Sequence, residues 1–398
     1  MFEKVRIGDL GEIYTGNTPS KKNKEFYDTE DIMFIKPDIL SFDIRFIDKS
    51  NEYISEKAKE KARVIPKGSL LVSCIGNIGK LGINNEEVAF NQQINAIIHN
   101  NKICSSKYLA YLLKYNQKKL EAIANAPVVP IINKSQFSDF EVVIHKELFE
   151  QKQLVKILDK AQQLIDKRKE QIEDLDKLVK SKFIEMFGNP YKNEKGWEIA
   201  EIGKYLNILT DYHSNGSYET LRDNVTLLDT PSYALMVRTT DLENNNFENE
   251  VKYIDEHAYN HLEKSKVFGG EIIINKIGSA GKVYLMPYLN RPVSLAMNQF
   301  LLRFDEEKVN HIFLYNLLLT PYMQSKIKEK VRGAVTKTIT KDAIREINII
   351  VPPISLQKEF VEFVKQVDKL KFEMEKSLKE LEDNFNSLMQ RAFNGELF

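Results

Sequence analysis

Cysteine is almost absent from this 398-residue chain, with only Cys74 and Cys104. Two cysteines build neither a disulfide framework nor a Cys-x-x-Cys zinc site. The six histidines include no His-Glu-x-x-His, which leaves no zinc-hydrolase signature. No apolar run approaches the roughly 20 residues that cross a bilayer. The start, Met1-Phe2-Glu3-Lys4-Val5, has no apolar signal-peptide core, so the cytoplasm is the expected compartment. An excess of charge is also missing, since 57 basic residues meet 57 acidic ones. A nucleic-acid surface on such a chain must segregate its charge by face.

Catalytic patterns are equally sparse. There is no Gly-x-Ser-x-Gly nucleophile elbow. Asn189-Pro190-Tyr191 lacks the second Pro and the glycine-rich cofactor loop of an amino-methyltransferase, and reads as a helix stop with a linker. Gly76-Asn-Ile-Gly-Lys80 and Gly278-Ser-Ala-Gly-Lys282 have too few residues between their glycines for a phosphate loop, and Leu81 and Val283 stand where Ser or Thr is needed. They read as strand-to-strand turns with glycine at positive φ. Asp241 with Glu250-Val-Lys252 is a nuclease-like set, but its spacing is loose and the first half has no counterpart.

What the chain does have is a copy of itself. Tyr53-Ile-Ser-Glu-Lys-Ala58 returns 200 residues later as Tyr253-Ile-Asp-Glu-His-Ala258. Ile75-Gly76 with Gly79-Lys80 returns 202 residues later as Ile277-Gly278 with Gly281-Lys282. Asn91-Gln92 returns 207 residues later as Asn298-Gln299. Each half begins with β-rich runs punctuated by turns, such as 32–36, 69–73 and 94–98, then 271–275 and 299–304. A helix is predicted within each mixed segment, over about 106–124 and about 309–331.

Each half closes on a long helix. Residues 149–187 contain no Gly or Pro, and apolar residues recur there at spacings of mostly three and four, the seam of a coiled coil. The first seam takes Leu154, Ile157, Leu164, Ile172, Leu175 and Val179. The second takes Phe363, Val367, Leu370, Leu378, Leu381 and Phe385. Phe187-Gly188 and Phe393-Asn-Gly395 supply glycine stops. Each helix would be on the order of 55 Å long. So narrow a stripe needs a partner helix, and the other copy is the nearest. An antiparallel pair spares the second globular segment from crossing the helix length. The fold class is therefore α+β, with two similar mixed domains, two long helices in an antiparallel coiled coil and a pseudo-twofold repeat.

The remaining candidates are polar side chains among strands and turns. Asn and Gln read adenine edges, Arg and Lys read guanine or hold phosphate, and Ser and Thr fit either. In the first half these are Thr15, Asn17, Thr18, Ser20, Lys21 and Lys22, followed by Lys36, Ser73, Asn77, Lys80, Asn91 and Gln92. In the second half they are His213, Ser214, Asn215, Arg238, Thr239 and Asn275. Lys276, Ser279, Lys282, Asn298, Gln299, Arg332 and Lys337 complete the set. Features shared by both halves define the fold better than they read different sequences. The unshared loop 15–24 and insert 211–223 are thus the better places for specificity.

The chain resembles the specificity subunit of Type I restriction-modification systems over essentially its whole length. The carrying segments are Val5-Arg-Ile-Gly-Asp-Leu-Gly-Glu-Ile-Tyr-Thr-Gly-Asn-Thr-Pro-Ser20, Ile65-Pro-Lys-Gly-Ser-Leu-Leu71 and Ile75-Gly-Asn-Ile-Gly-Lys80. Ile349-Ile-Val-Pro-Pro-Ile-Ser-Leu-Gln-Lys358, leading into the last helix, is the most specific. Its first-half counterpart, Val142 to Gln151, lacks the Pro-Pro pair. The resemblance implies target-recognition domains at 1–148 and 189–354, and spacer helices at 149–188 and 355–398. It implies a non-catalytic protein without cofactor or metal that binds a bipartite, asymmetric double-stranded DNA site. Two methyltransferase subunits, and restriction subunits in the full complex, would be its partners, with no membrane role. Half-sites one DNA turn apart lie about 34–36 Å from each other, within reach of such helices. The alternatives are a duplicated-domain nuclease or methyltransferase, and a coiled-coil adaptor that binds only proteins.

Overall fold

The computed structural model describes residues 2–124 and 129–397. It divides into two compact units, Met1–Glu170 with Glu375–Phe398, and Gln171–Met374.

In the first unit a five-stranded sheet has the order Gly11–Thr15, Ile94–His99, Leu70–Ser73, Leu81–Asn84, Phe46–Ile47. A four-stranded sheet follows the order Tyr53–Ile54, Ile32–Ile35, Val88–Phe90, Val64–Ile65. Phe2–Arg6 and Glu141–His145 form a separate antiparallel pair. Leu70–Ser73 is apolar throughout because it divides two cores. Leu70 and Val72 join the cluster that contains Tyr108, Leu109 and Leu112 of the helix Ser106–Tyr115. Leu71 faces the other way, into the cluster of Met33, Ile35 and Val88. A strand covered on both faces loses the polar alternation of a half-exposed one.

The second unit repeats this plan. One sheet has the order Leu206–Asp211, Gln299–Phe304, Ile272–Asn275, Val283–Leu285, and the other Lys252–Ile254, Ala234–Val237, Val293–Leu295, Lys266–Val267. Ile272 and Ile274 enter one core and Ile273 the other. The duplication in sequence is thus a duplication of topology.

Two local expectations need correction. The helix predicted over 309–331 is two helices, His311–Leu318 and Pro321–Lys330. Pro321 cannot continue a helix but suits a first turn, and the Thr320 side chain caps it by accepting from Met323 N. The 106–124 helix likewise divides at Asn116 into Ser106–Tyr115 and Gln117–Ala122.

The long helices are Leu148–Phe187 and Ile354–Phe393, each of 40 residues. Gly188 ends the first at φ +75°, and Gly395 lies at φ +79° beyond the second. In the first unit Leu154, Leu158 and Ile165 share a core with Phe385 and Met389, and Lys169 pairs with Glu382 at 3.0 Å. In the second unit the Phe360 ring packs 5.5 Å from Phe183 and 5.4 Å from Phe187, and Lys371 bonds Asp176 at 2.7 Å. In both units an early part of one helix meets a late part of the other, so the helices run antiparallel.

The seam is displaced from the predicted one at several positions. Leu154, Leu175, Val367 and Phe385 are buried, and Ile172, Val179, Leu378 and Leu381 are half-buried. Leu164 and Leu370 are exposed, at 55% and 47%. Ile165 and Lys371 follow them on the seam, and Leu158 and Val364 take the buried places beside half-buried Ile157 and Phe363. Counting by alternate fours and threes from Leu154 and Phe360 reproduces the observed stripe. Where adjacent residues are both apolar, spacing alone does not choose between them.

Candidate nucleic-acid interface

Strand register gathers the polar candidates at one end of each larger sheet. In the first unit Ile94 pairs with Ser73, and Asn95 with Thr15. The segment after Thr15, the turn after Ser73 and the 91–93 approach to Ile94 therefore emerge at the same sheet end. In the second unit Asn275 pairs with Gln299, and Phe300 with Asp211. The 212–217 insert, the 276–282 turn and the 296–298 approach share the matching end.

Both turns are built alike. Gly79 N donates to Ser73 O, and Gly281 N donates to Asn275 O, at 2.9 and 2.8 Å. Gly76, Gly79, Gly278 and Gly281 all have φ between +75° and +86°. A Cβ on Gly281 would also lie 2.7 Å from Ile327, so other residues are both strained and crowded there.

The first-unit candidates divide into buried and presented groups. Ser73 and Asn91 are buried, at 0% and 6%. The Ser73 hydroxyl donates to Asn77 O and accepts from Lys80 N, so it holds the turn. Half-buried Thr15 donates to Asn95 Oδ1. Asn17 is exposed but ties down Lys61 and Arg63. Lys21 and Lys36 both pair with Glu52. Ser20, Lys22, Asn77 and Gln92 are exposed, and Thr18 donates to Gln92 Oε1 at 2.8 Å. Lys80 has no ion pair among the described residues, and its ammonium sits 5.8 Å from the Phe42 ring centroid.

In the second unit more of the cations are already neutralised. Asn275 and Gln299 are fully buried and cannot reach a ligand. Lys276 bonds Asp211 at 3.0 Å, and Ser214 bonds the same carboxylate at 2.6 Å. Arg238 grips Asp241 at 2.6 Å and reaches Glu250 O. Asn215 bridges Tyr212 O and the Ser265 hydroxyl. Half-buried Thr239 donates to Asn275 Oδ1. Lys282 pairs with Glu243 at 3.2 Å. His213, Ser279, Asn298, Arg332 and Lys337 are exposed. An open pocket of about 570 Å³ lies along Gly278–Lys282 and is lined by Lys328 and Lys337 as well.

The nuclease-like trio has other partners. Both oxygens of Asp241 are taken by Arg238, one also by its backbone N–H, and Lys252 pairs with Asp229. Among the described residues no group of three or more His, Cys, Asp or Glu is placed to hold a metal ion.

The Asn91-Gln92 to Asn298-Gln299 match needs correction. Cys74 N bonds Gln93 O, and Lys276 N bonds Asn298 O. The structure thus equates Gln93 with Asn298 and Ile94 with Gln299, 205 residues apart, and places Met297 opposite Gln92. The repeated letters are two residues out of register.

Residues not singled out from sequence complete the site. Lys341 donates to Asp211 at 2.8 Å, and Lys134, 207 residues earlier, lies over Tyr14. Their matching positions in the repeat were the available signal. Asp211 had none, because its partners come from distant segments. Burial opposes its ionisation, yet hydrogen bonds from Lys341, Ser214 and Lys276 outweigh that and hold its carboxyl at about 2. A depressed folded-state value stabilises above the unfolded one, near 4, and the gain fades as pH falls from about 4 to about 2. Asp211→Asn should therefore cost about 2 kcal/mol at pH 7, with the deficit shrinking at pH 3. Urea unfolding at the two pH values checks this; an equal deficit at both would rule it out.

The model of the Type I restriction modification DNA specificity domain matches residues 1–174 and 194–383. The chain belongs to that family. Like other Type I specificity subunits, it is a non-catalytic component of its restriction-modification system. It is 26% identical over 425 residues to the Type I restriction enzyme MjaIX specificity subunit of Methanocaldococcus jannaschii, covering 100% of this chain and 93% of that one. The HindI specificity subunit of Haemophilus influenzae is 34% identical over 184 residues, which cover 44% of this chain and 39% of that one. The solved S subunit from M. genitalium has the same fold, with a TM-score of 0.53 at 16% identity over 99% of this chain and 96% of that one. A chain solved in work on assembly and conformational transition of the type I R-M system gives 0.58 at 14%, over 100% and 98%. Among the described residues of this specificity subunit, no helix is long and apolar enough to cross a membrane.

Proposed function

We propose that this specificity subunit reads a bipartite, asymmetric double-stranded DNA site, with one half-site for each mixed domain. The domains would span 1–148 and 189–354, and the helical segments 149–188 and 355–398 would set the gap. Two methyltransferase subunits would dock on it and bring restriction subunits to the full complex. The observation that carries this reading is one sheet plan used twice with unlike side chains at its matching ends. Exposed Gln92 stands opposite exposed Met297, and exposed Asn77 opposite exposed Ser279. One frame with two sets of side chains suits two unlike half-sites. The long helices leave Leu164, Leu178, Ile184, Leu370 and Phe372 substantially exposed, apolar surface suited to partner subunits.

Mapping methylated positions in DNA from cells that express this chain with its methyltransferase tests the reading. A bipartite motif with a fixed gap is expected; a continuous motif or none would overturn it.

Lys80, which has no ion pair among the described residues, should contact phosphate rather than bases. Lys80→Ala is then expected to lower the slope of log affinity against log salt by about one, with sequence preference unchanged. Binding of the assembled complex to its duplex across a salt series measures this. A changed motif with an unchanged slope would place Lys80 on a base.

A further inference from the structure

We infer that Glu243 is a specificity-determining residue of the second domain, whose free carboxylate oxygen accepts from the amino group of a cytosine in the bound half-site. The inference rests on the DNA-reading function proposed above. Glu243 ends the short helix Thr239–Glu243, which follows the strand Ala234–Val237. Three donors converge on its Oε1: the Ser279 hydroxyl at 3.3 Å, Lys282 Nζ at 3.2 Å and the Tyr284 hydroxyl at 3.2 Å. Oε2 has no hydrogen-bond partner among the described residues.

The donors are themselves anchored. Buried Asn275 donates to Ser279 Oγ at 2.7 Å and to Tyr284 Oη at 3.3 Å, and accepts from Thr239. One oxygen is thus locked to the fold while the other is held toward solvent with its position set. Lys282 keeps the Glu243 carboxyl below its ordinary range, with the Tyr284 and Ser279 hydroxyls helping against desolvation. The group is therefore ionised and can only accept.

A fixed acceptor selects its partner by charge. Phosphates repel it. In the major groove guanine offers N7 and O6, and thymine O4, all acceptors; adenine sets acceptor N7 beside its amino group. Cytosine alone offers a donor with no acceptor on its own major-groove edge, which is the pairing a carboxylate favours. Lys328 and Lys337, lining the adjacent pocket, suit the flanking phosphates. The register that matches Met33 with Leu235 places Ser41 where Glu243 stands, so this reading is confined to one half-site.

The test compares methylated motifs from cells carrying the full chain as wild type, Glu243→Gln or Tyr284→Phe, each with its methyltransferase. Glu243→Gln should lower the preference for cytosine about tenfold or more at one position of one half-site. The other half-site and the gap should stay as they were. Tyr284→Phe removes one of the three anchors and should relax the same position less. If Glu243→Gln destabilises the domain, the Tyr284→Phe motif decides. An unchanged motif in both variants overturns the inference, as does weaker complex assembly with an intact motif, which would make Glu243 a protein contact. Absence of a bipartite motif in the wild type would instead remove the underlying reading.

Discussion

A chain lengthened by seven residues in each long helix, after Glu170 and after Met374, is expected to direct its methyltransferase to sites whose gap is about three base pairs wider. A heptad adds about 10 Å of helix, and DNA rises about 3.4 Å per base pair. Seven residues also return the apolar stripe to its own face, because the seam repeats every 3.5 residues. Inserting four residues instead would rotate Leu175 and Val367 off the stripe and should cost assembly. Sequencing of methylated sites reads the gap directly. An unchanged gap with full activity would show that the helices do not set it.

The second large effect concerns stability. Phe360 is fully buried, with ring neighbours Phe183 at 5.5 Å and Phe187 at 5.4 Å. Phe183 and Phe187 also pack on Phe313, at 5.7 and 4.7 Å. Four aromatic side chains from the two long helices and the helix His311–Leu318 thus close one end of a core. Phe360→Ala should remove about 3–5 kcal/mol, because rings held by three backbones cannot collapse into the space. Urea unfolding followed by circular dichroism measures the loss. Under 1 kcal/mol would mean that the cluster repacks, and Phe360→Leu should recover most of the deficit.

Much of the plan was legible because it rests on local rules. Gly76 and Gly79 repeat as Gly278 and Gly281 since each turn needs positive φ at those points. The long helices announced themselves through their apolar period, uninterrupted by Gly or Pro. The Pro-Pro-x-x-x-Gln pattern at Pro352 has a structural reason: the buried Gln357 amide donates to Pro352 O and accepts from Asn310 N. In the first copy Gln151 donates to His145 O in the same way, so the role survives loss of the prolines.

The candidate site was less legible. Lys276, Arg238 and Lys282 read as free cations, yet Asp211, Asp241 and Glu243 neutralise them. Asp211 lies 65 residues from Lys276 and 130 from Lys341, and pairing at such separations has no sequence signature. The Asn-Gln repeat misled for a related reason, since identical letters two places out of register carry no shared position on the sheet.

By itself the sequence determined that one α+β unit is used twice, that two long helices pair along an apolar stripe, and which family the chain belongs to. These follow from periodicity and turn chemistry, which act between residues near one another in the chain. Only the tertiary structure decided which polar side chains are buried, which cations are already paired, and that Glu243 keeps one oxygen open. Those outcomes depend on strand register, where a shift of one residue exchanges an exposed side chain for a buried one, and on charges brought together from distant segments.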